Sequence, residues 1–271
     1  MRKKQIIIII SIACAVAIII ATILGIALKN NNTTPNKPTT NEEKTQEELK
    51  KEFNNLFNNS VEFNDYETSR IPKLVENKPI VYTTYELEAK KEDKYEVDMH
   101  IPVINIKNTA GSNFNKITQT IFANKAMEIL KDAKVYTIYS ITYTGYINGD
   151  VLSVIIKSTL KEGTSAQRII VQTYNYNLAT GEEITFEEIL KQKQIDVNEV
   201  SKKINTEITK SIKEANKVQI SGYQTYTRDL YDDIYKITNI STFFIGQDGK
   251  IRIVFAYGNN NFTSEMDIIE I

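Results

Sequence analysis

The stretch "IIVQTYNYNLATGEEITFEEIL", residues 169–190, decides the fold of this chain. Side chains alternate along a pleated strand, so the odd-numbered residues 169–175 face one side of a sheet and the even-numbered residues 170–178 face the other. The second set contains the tyrosines, and the first is rich in β-branched residues, which are frequent in strands. The first half of the stretch therefore predicts a central strand with its tyrosines on one face.

The second half of the stretch predicts a turn followed by a helix. Thr180-Gly181 supplies the turn, and Thr185 and Glu188 have the spacing of a capping box, in which a hydroxyl and a carboxylate bond to otherwise unpaired backbone amides. Asp196 and Glu199 repeat that spacing before a longer helix, so the acids of both segments are assigned to caps. The buried stripe predicted for the longer helix comprises Val197, Val200, Ile204, Ile208 and Ile212.

Runs rich in Val, Ile and Tyr predict the strands around this stretch. Residues 135–160 form a hairpin about Asn148-Gly149, a pair that tolerates the positive φ angles of a tight turn, and the opening stretch continues it as the third strand of a meander. Residues 79–89 and 94–104 predict two earlier strands, and a last hairpin turns at Gln247-Asp248-Gly249.

A further amphipathic helix is predicted in residues 108–133, between the early strands and the meander. Its apolar residues at near-helical spacing are Phe114, Ile117, Ile121, Met127 and Leu130. Together these elements predict an α+β fold, with a mainly antiparallel sheet and packed helices.

The N-terminus predicts a membrane anchor. Residues 6–28 are apolar and free of charge and proline, and a helix of this length spans roughly 35 Å at about 1.5 Å per residue, enough for a hydrocarbon core of about 30 Å. The apolar region of a cleaved signal peptide is only about 7 to 15 residues long, so the length favours an uncleaved single transmembrane helix. Three basic residues precede the span, whereas Lys29 alone follows it at once, so residues 1–5 are predicted to be cytoplasmic and the C-terminal part extracytoplasmic at the cell membrane.

The exported part is predicted to begin with a polar tether and a short amphipathic helix, residues 29–60. Residues 61–271 then form the extracytoplasmic α+β domain, which divides into 61–133 and 134–271 if it contains two subdomains. The short helix is expected to dock on the domain through Leu49, Phe53, Leu56 and Phe57.

Charge and cysteine content narrow the class of partner. Positions 1–29 hold four basic residues and no acidic ones, so residues 30–271 hold 29 basic and 34 acidic residues and carry a net charge of −5. This balance argues against a nucleic-acid partner. The single cysteine, Cys14, lies within the predicted span, so the exported domain has no disulfide to stabilise it.

Three segments in order, "YEVDMHIPVINI", "FNKITQTI" and "TYNYNLATGEEITFEEIL", carry a family resemblance. Over roughly residues 75–271 they resemble the paired domains of unknown function in the exported region of RsiV-type anti-sigma factors, bacterial membrane proteins. The resemblance implies non-catalytic binding of lysozyme, followed by regulated proteolysis that frees a sigma factor. Since residues 1–5 are too short to hold a sigma factor, the resemblance extends to the binding part alone.

No catalytic residue, cofactor or metal site is predicted from the sequence. His100 is the only histidine, has no metal-ligand partner nearby in sequence, and is interpreted as a structural residue at a strand end. Asp229, Asp232 and Asp233 lie on one short segment, whereas glycosidic chemistry needs two carboxylates across a cleft.

The candidate partner-binding surface is "SGYQTYTRDLYDDIYK", residues 221–236, where tyrosines offer contact area and acids attract a cationic partner. The alternative is a loop that packs its tyrosines on the core. The candidate residues are Tyr223, Tyr226, Asp229, Tyr231, Asp232 and Asp233.

Three functions fit these observations. The first is a membrane-anchored binding or sensing module of the cell envelope, non-catalytic, for a protein or cell-wall partner such as lysozyme, a basic wall-active protein. The second is a cell-wall remodelling hydrolase, for which Asp232 and His100 are the residues to substitute. The third is a structural scaffold that holds another envelope protein.

Overall fold

The computed structural model describes residues 44–59, 61, 71–218 and 224–271, and Lys44–Ile271 form one compact unit. Its α-helices are α1 (Gln46–Asn54), α2 (Thr109–Thr118), α3 (Asn124–Asp132), α4 (Phe186–Gln192) and α5 (Val197–Ala215). Its strands are β1 (Val81–Lys91), β2 (Tyr95–Ile104), β3 (Thr137–Asn148), β4 (Val151–Glu162), β5 (Arg168–Asn177), β6 (Phe243–Ile245), β7 (Ile251–Ala256) and β8 (Met266–Glu270).

The strands form two sheets. The larger has the order β1-β2-β3-β4-β5 and is antiparallel except between β2 and β3, which are parallel and joined by α2 and α3. The smaller has the order β6-β7-β8 and is antiparallel. The fold is therefore α+β and mainly antiparallel, as predicted, and the larger sheet takes strands from both sides of residue 133.

The sheets and helices stack in four layers. On one face of the larger sheet, α2 and α3 cover its apolar residues, and the ring of Phe114 lies 4.4 Å from that of Tyr174. The other face packs on the smaller sheet, where Val171 joins Phe244 and Val254 in one cluster. The outer face of the smaller sheet is covered by α4 and α5. Both faces of β5 thus meet other layers, so residues at odd and at even positions of the opening stretch pack inside the domain.

The prediction that this stretch is a central strand is wrong, because β5 is the last strand of its sheet. Its free edge is covered instead by the chain that connects β7 to β8. The Asn259 side chain bonds to the backbone N–H and C=O of Val171 (3.0 Å each), and the backbone N–H of Ile169 donates to Thr263 (3.0 Å). Covering an edge in this way satisfies its backbone groups without another strand.

Side chains of the opening stretch also fix how the two sheets meet. Asn175 accepts from Ser153 (2.6 Å) and donates to the backbone C=O of Phe243 (2.8 Å). Thr173 and Ser153 accept from the backbone N–H groups of Phe243 (2.9 Å) and Ile245 (3.1 Å). These buried hydrogen bonds pair backbone groups on the outer edge of β6. Side chains of β4 and β5 therefore fix the position of the smaller sheet.

The predicted helix caps are largely confirmed. Thr185 and Glu188 form the capping box of α4, in which the Thr185 amide donates to the Glu188 carboxylate (2.8 Å) and the Glu188 amide to the Thr185 hydroxyl (3.3 Å). Asp196 caps α5 through the amide of Asn198 (2.7 Å) rather than that of Glu199. The acids in both segments therefore stabilise helix starts.

The apolar stripe predicted for residues 108–133 is partly wrong. A π-helical turn, Gln119–Ala123, joins α2 to α3 and holds one more residue per hydrogen-bonded ring than an α-helical turn, so it shifts the residues that face the sheet. The buried residues are Phe114, Phe122, Ala126 and Ile129, whereas Ile117, Ile121 and Met127 are exposed. In α5 the predicted stripe begins at Val200, since Val197 in the first turn is exposed.

Helix α1 docks on the domain, as its apolar stripe predicts. Leu49 and Phe53 are buried against the two sheets, and the Gln46 amide bonds to both backbone groups of Ile268, on the outer edge of β8 (2.7 and 2.9 Å). The predicted tail, span and most of the tether lie outside the described residues. Within the described ranges, no helix is both long enough and apolar enough to cross a bilayer.

Candidate functional site

The described part of the candidate surface lies on the segment 224–242, which precedes β6 and contains two 3-10 turns, Asp233–Tyr235 and Ile237–Asn239. Tyr223 lies outside the described residues. The other five predicted residues are described, and they divide between a buried anchor and an exposed loop.

The buried anchor of the segment is Arg228, whose guanidinium reaches strand β8. It donates two bonds to Asp267 (2.5 and 3.1 Å) and one to Glu265 (3.1 Å), and neither Arg228 nor Asp267 reaches the solvent to any useful extent. Burial raises the pKa of Asp267, but the bonds from Arg228 outweigh burial and lower that pKa overall. The pair therefore stays ionised inside the domain and fixes the start of the segment.

Three tyrosines extend this anchor. The Tyr257 hydroxyl donates to Asp267 (2.6 Å) and bonds to the Tyr235 hydroxyl (2.8 Å), while the ring of Tyr226 stacks on that of Tyr257 at 4.2 Å. Burial raises the pKa of Tyr257, as does the charge of Asp267, and burial raises the pKa of Tyr235 to about 12, so both phenols stay protonated. Tyr226 thus packs its ring on the core, as the alternative interpretation of this segment states.

The other four predicted residues form an exposed loop, Asp229–Asp233. Asp229 accepts from the amide of Tyr231 through its carboxylate (3.0 Å) and from the amide of Asp232 through its backbone C=O (2.9 Å). Asp232 caps the following 3-10 turn, and Asp233 pairs with Lys236. These bonds hold the loop in one conformation, with the Tyr231 side chain 92% exposed at its tip.

A cleft of about 280 Å³ opens beside this loop. It is lined by Tyr226, Asp232 and Ile240 of the segment, by Ile253–Ala256 of β7, and by the three asparagines Asn259–Asn261. The candidate residues Tyr226 and Asp232 thus line the same cleft. Tyr231, at the tip of the loop, directly precedes Asp232 in the sequence. The sequence predicted a hairpin here but did not indicate that β7 and the three asparagines line a cleft. The run of three asparagines after a strand was the available signal.

The described lining of the cleft consists of groups that can form hydrogen bonds to a ligand, beside apolar side chains. It offers backbone groups, carboxamides, hydroxyls and the Asp232 carboxylate, and the described lining residues include no histidine or lysine. His100 is not among these residues; it lies inside β2 rather than at its end, with Nε2 3.3 Å from Asp98. Over the described ranges, no group of three or more His, Cys, Asp or Glu side chains is placed to hold a metal.

Comparison with known proteins finds similarity among solved structures alone. No model of a protein family matches the chain. No curated protein matches it either. Among solved structures, a DUF3298 family protein from Pseudomonas aeruginosa PAO1 is similar at 11% identity and a TM-score of 0.44, over 72% of this chain and 91% of that one. A DUF3298 family member from Bacteroides fragilis NCTC 9343 is similar at 10% identity and a TM-score of 0.40, over 74% and 91%. The similar structures are thus domains of unknown function.

Proposed function

We propose that this chain is a membrane-anchored, extracytoplasmic binding or sensing module of the RsiV type, and that the loop Asp229–Asp233 binds a basic protein such as lysozyme. The observation that carries the proposal is Tyr231, an aromatic side chain 92% exposed at the tip of a loop held by its own hydrogen bonds. Binding is non-catalytic, and the partner is met outside the membrane.

The geometry of the loop supports a contact residue at Tyr231. Tyrosine is enriched among the few residues that dominate binding energy at protein interfaces, and a residue whose backbone is already held in place loses less entropy on association. The buried Arg228–Asp267 pair anchors the loop on one side, and the cap at Asp232 fixes it on the other. Tyr231 is therefore presented by a rigid support.

Charge supports a basic partner. Asp229 and Asp232 place two carboxylates close to Tyr231 in sequence, in addition to Asp233, which is paired with Lys236, and the chain beyond residue 29 is acidic. Clustered charges of this kind accelerate association with a partner of opposite sign and make it sensitive to ionic strength.

The first test measures binding of hen lysozyme to the full chain in detergent micelles at low salt. The variant Tyr231→Ala should weaken binding roughly thirtyfold, as expected for a hot spot of about 2 kcal/mol. Tyr85→Ala is the matched control, because Tyr85 is also an exposed tyrosine, 41% exposed on strand β1. A parent chain that does not bind lysozyme, or a Tyr231→Ala variant that binds like the parent, would contradict the proposal.

A second test separates charge from structure. The double variant Asp229→Asn and Asp232→Asn keeps a side-chain oxygen for the amides of Tyr231 and Ile234, and removes two charges. It should slow association with lysozyme and flatten its dependence on salt, without a change in melting temperature. The hydrolase alternative predicts instead that the full chain cleaves wall fragments, and that Asp232→Asn abolishes this activity.

A further inference from the structure

Three strand edges of the domain are closed by an amide side chain. Asn259 bonds to the outer edge of β5 and Gln46 to that of β8, as described above. Where β3 extends beyond its pairing with β2, the Tyr143 amide donates to the Asn59 carboxamide (3.1 Å), and the Tyr143 C=O accepts from the Asn59 amide (3.3 Å). Such contacts satisfy the backbone of an edge and keep other chains from pairing with it.

Strand β1 has different surroundings. It ends the larger sheet on the side opposite to β5, and residues on both of its faces are exposed. A β-bulge lies between Thr83 and Tyr85, and the turn into β2 starts after Lys91, whose C=O accepts from the Lys94 amide (3.0 Å). The regular part of β1 is therefore Tyr85–Lys91, and its midpoint is Glu88.

The charges on this part of β1 are ordered by sign, with Glu86 and Glu88 before Lys90 and Lys91. In an antiparallel pair of identical strands centred on Glu88, Glu86 of each copy lies directly opposite Lys90 of the other, because both are two residues from the centre. Opposite side chains in such a pair share a face, with Cβ atoms about 4.5–5.5 Å apart, and opposite charges there stabilise the pairing. The two copies of Glu88 meet at the centre, with a Lys90 of each copy as a neighbour.

The charged side chains of β1 are placed to form these pairs. Lys90 is 68% exposed and pairs with Glu96 of β2 (2.7 Å), and an ammonium has three donors, so Lys90 can also donate to Glu86 of a second copy. Charged residues on an edge strand usually oppose pairing between edges. Acids followed by bases have the opposite effect on an antiparallel copy, since each half then meets the half of opposite sign.

We propose that two copies of this chain associate through β1, with the strands antiparallel and centred on Glu88, so that the two larger sheets form one continuous sheet. The partner at this edge is thus a second copy of the chain. This inference goes beyond the proposed function and does not rest on it. The pairing involves seven residues of each copy, fewer than the roughly 20–30 of a standard interface, so the association belongs to the weak, transient class.

A charge reversal and its compensation test the register. Sedimentation of the full chain in density-matched detergent micelles gives the dissociation constant. Lys90→Glu places like charges opposite each other twice per dimer and should raise that constant about tenfold or more. The double variant Glu86→Lys and Lys90→Glu restores opposite charges and should return the constant to within about threefold of the parent value. Lys161→Glu, an equal change of charge on an exposed residue of β4, is the matched control and should leave it unchanged.

Cysteine crosslinking tests the centre of the pairing. In a chain whose only cysteine is removed by Cys14→Ala, Glu88→Cys places two thiols opposite each other, and mild oxidation should join them in a disulfide-linked dimer. Thr84→Cys is the matched control on an exposed residue of the same strand. It lies four residues from the centre, so its two copies are separated by roughly 26 Å at about 3.3 Å per residue and should not crosslink.

Four outcomes overturn the proposal: a full chain that stays monomeric over the whole concentration range, a double variant that associates no better than Lys90→Glu, a Lys161→Glu variant weakened as much as Lys90→Glu, and a Glu88→Cys variant that crosslinks no faster than Thr84→Cys. Melting temperatures measured in parallel distinguish lost association from unfolding. A dimer that does not bind lysozyme refutes the proposed function alone, whereas a monomer that binds lysozyme refutes the pairing through β1 alone.

Discussion

Replacing Arg228 by methionine should destabilise the domain strongly. Methionine keeps much of the length of the side chain but leaves the Asp267 carboxylate, which is fully buried, with only the Tyr257 hydroxyl at 2.6 Å and the Lys50 ammonium at 3.5 Å. Removing one member of a buried ion pair typically costs about 3–5 kcal/mol, because the other charge is left without compensation. For a domain of this size that corresponds to a fall in melting temperature of roughly 6–20 °C.

The loss of stability caused by Arg228→Met should depend on pH. In the parent, the lowered pKa of Asp267 contributes stability above the unfolded value of about 3.9, and this is lost as the pH falls through the folded pKa. Without Arg228, burial dominates and the pKa of Asp267 rises above the unfolded value. Ionisation of the buried carboxyl then destabilises the variant increasingly as the pH rises above about 3.9. The difference in unfolding free energy between parent and variant should therefore be smaller at pH 4 than at pH 7.

Urea unfolding of the parent and variants at the two pH values measures these differences. Arg228→Met combined with Asp267→Asn should recover at least half of the loss, since no buried charge remains and the new amide still accepts from Tyr257. Lys236→Met, which breaks the exposed pair with Asp233, should change stability by no more than about 1 kcal/mol. A loss that is equal at both pH values, or a double variant no more stable than the single one, would refute the reasoning.

Three further changes test the fold. Thr185→Ala removes the cap of α4 and should lower the free energy of unfolding by about 1 kcal/mol in urea titrations, whereas Thr185→Ser should not. Asn175→Ala leaves the Phe243 carbonyl between the sheets without its donor and should cost about 1–3 kcal/mol, also by urea titration. Gly258→Ala would place a Cβ 1.8 Å from the Ile169 carbonyl, so a loss of about 3 kcal/mol or more is expected, read as a lowered melting temperature; a normal melting temperature would contradict this packing.

Local patterns predicted the elements well because they depend on neighbouring residues. The turn at Gly181, the capping box at Thr185 and the hairpin at Gly149 all need a residue type that tolerates positive φ or bonds to nearby amides, and such needs are visible in a short window. The edge position of β5 was not visible, because the residues that cover it, such as Asn259, are about ninety positions away. The π turn between α2 and α3 also escaped, since its sequence contains no special residue type.

Part of the candidate site could be predicted, because that part also depends on residues close together in the sequence. Asp229, Tyr231 and Asp232 carry their own turn, so their exposure could be inferred from the segment alone. The buried anchor could not be inferred from the segment, because Arg228 contacts Asp267 only when β8 has packed beside it. The cleft depends on the unequal lengths of β6 and β7, which are set by the packing of two sheets.

The contact between Gln46 and Ile268 has a mechanical consequence. Because α1 is bonded to the outer edge of β8, a pull on the chain before Lys44 acts first on that strand. β8 also carries Asp267, to which Arg228 joins the loop Asp229–Asp233. If the chain is anchored and the loop binds a partner as we propose, tension on the N-terminal side and binding at the loop would both act on β8, so a load that strains β8 should weaken binding.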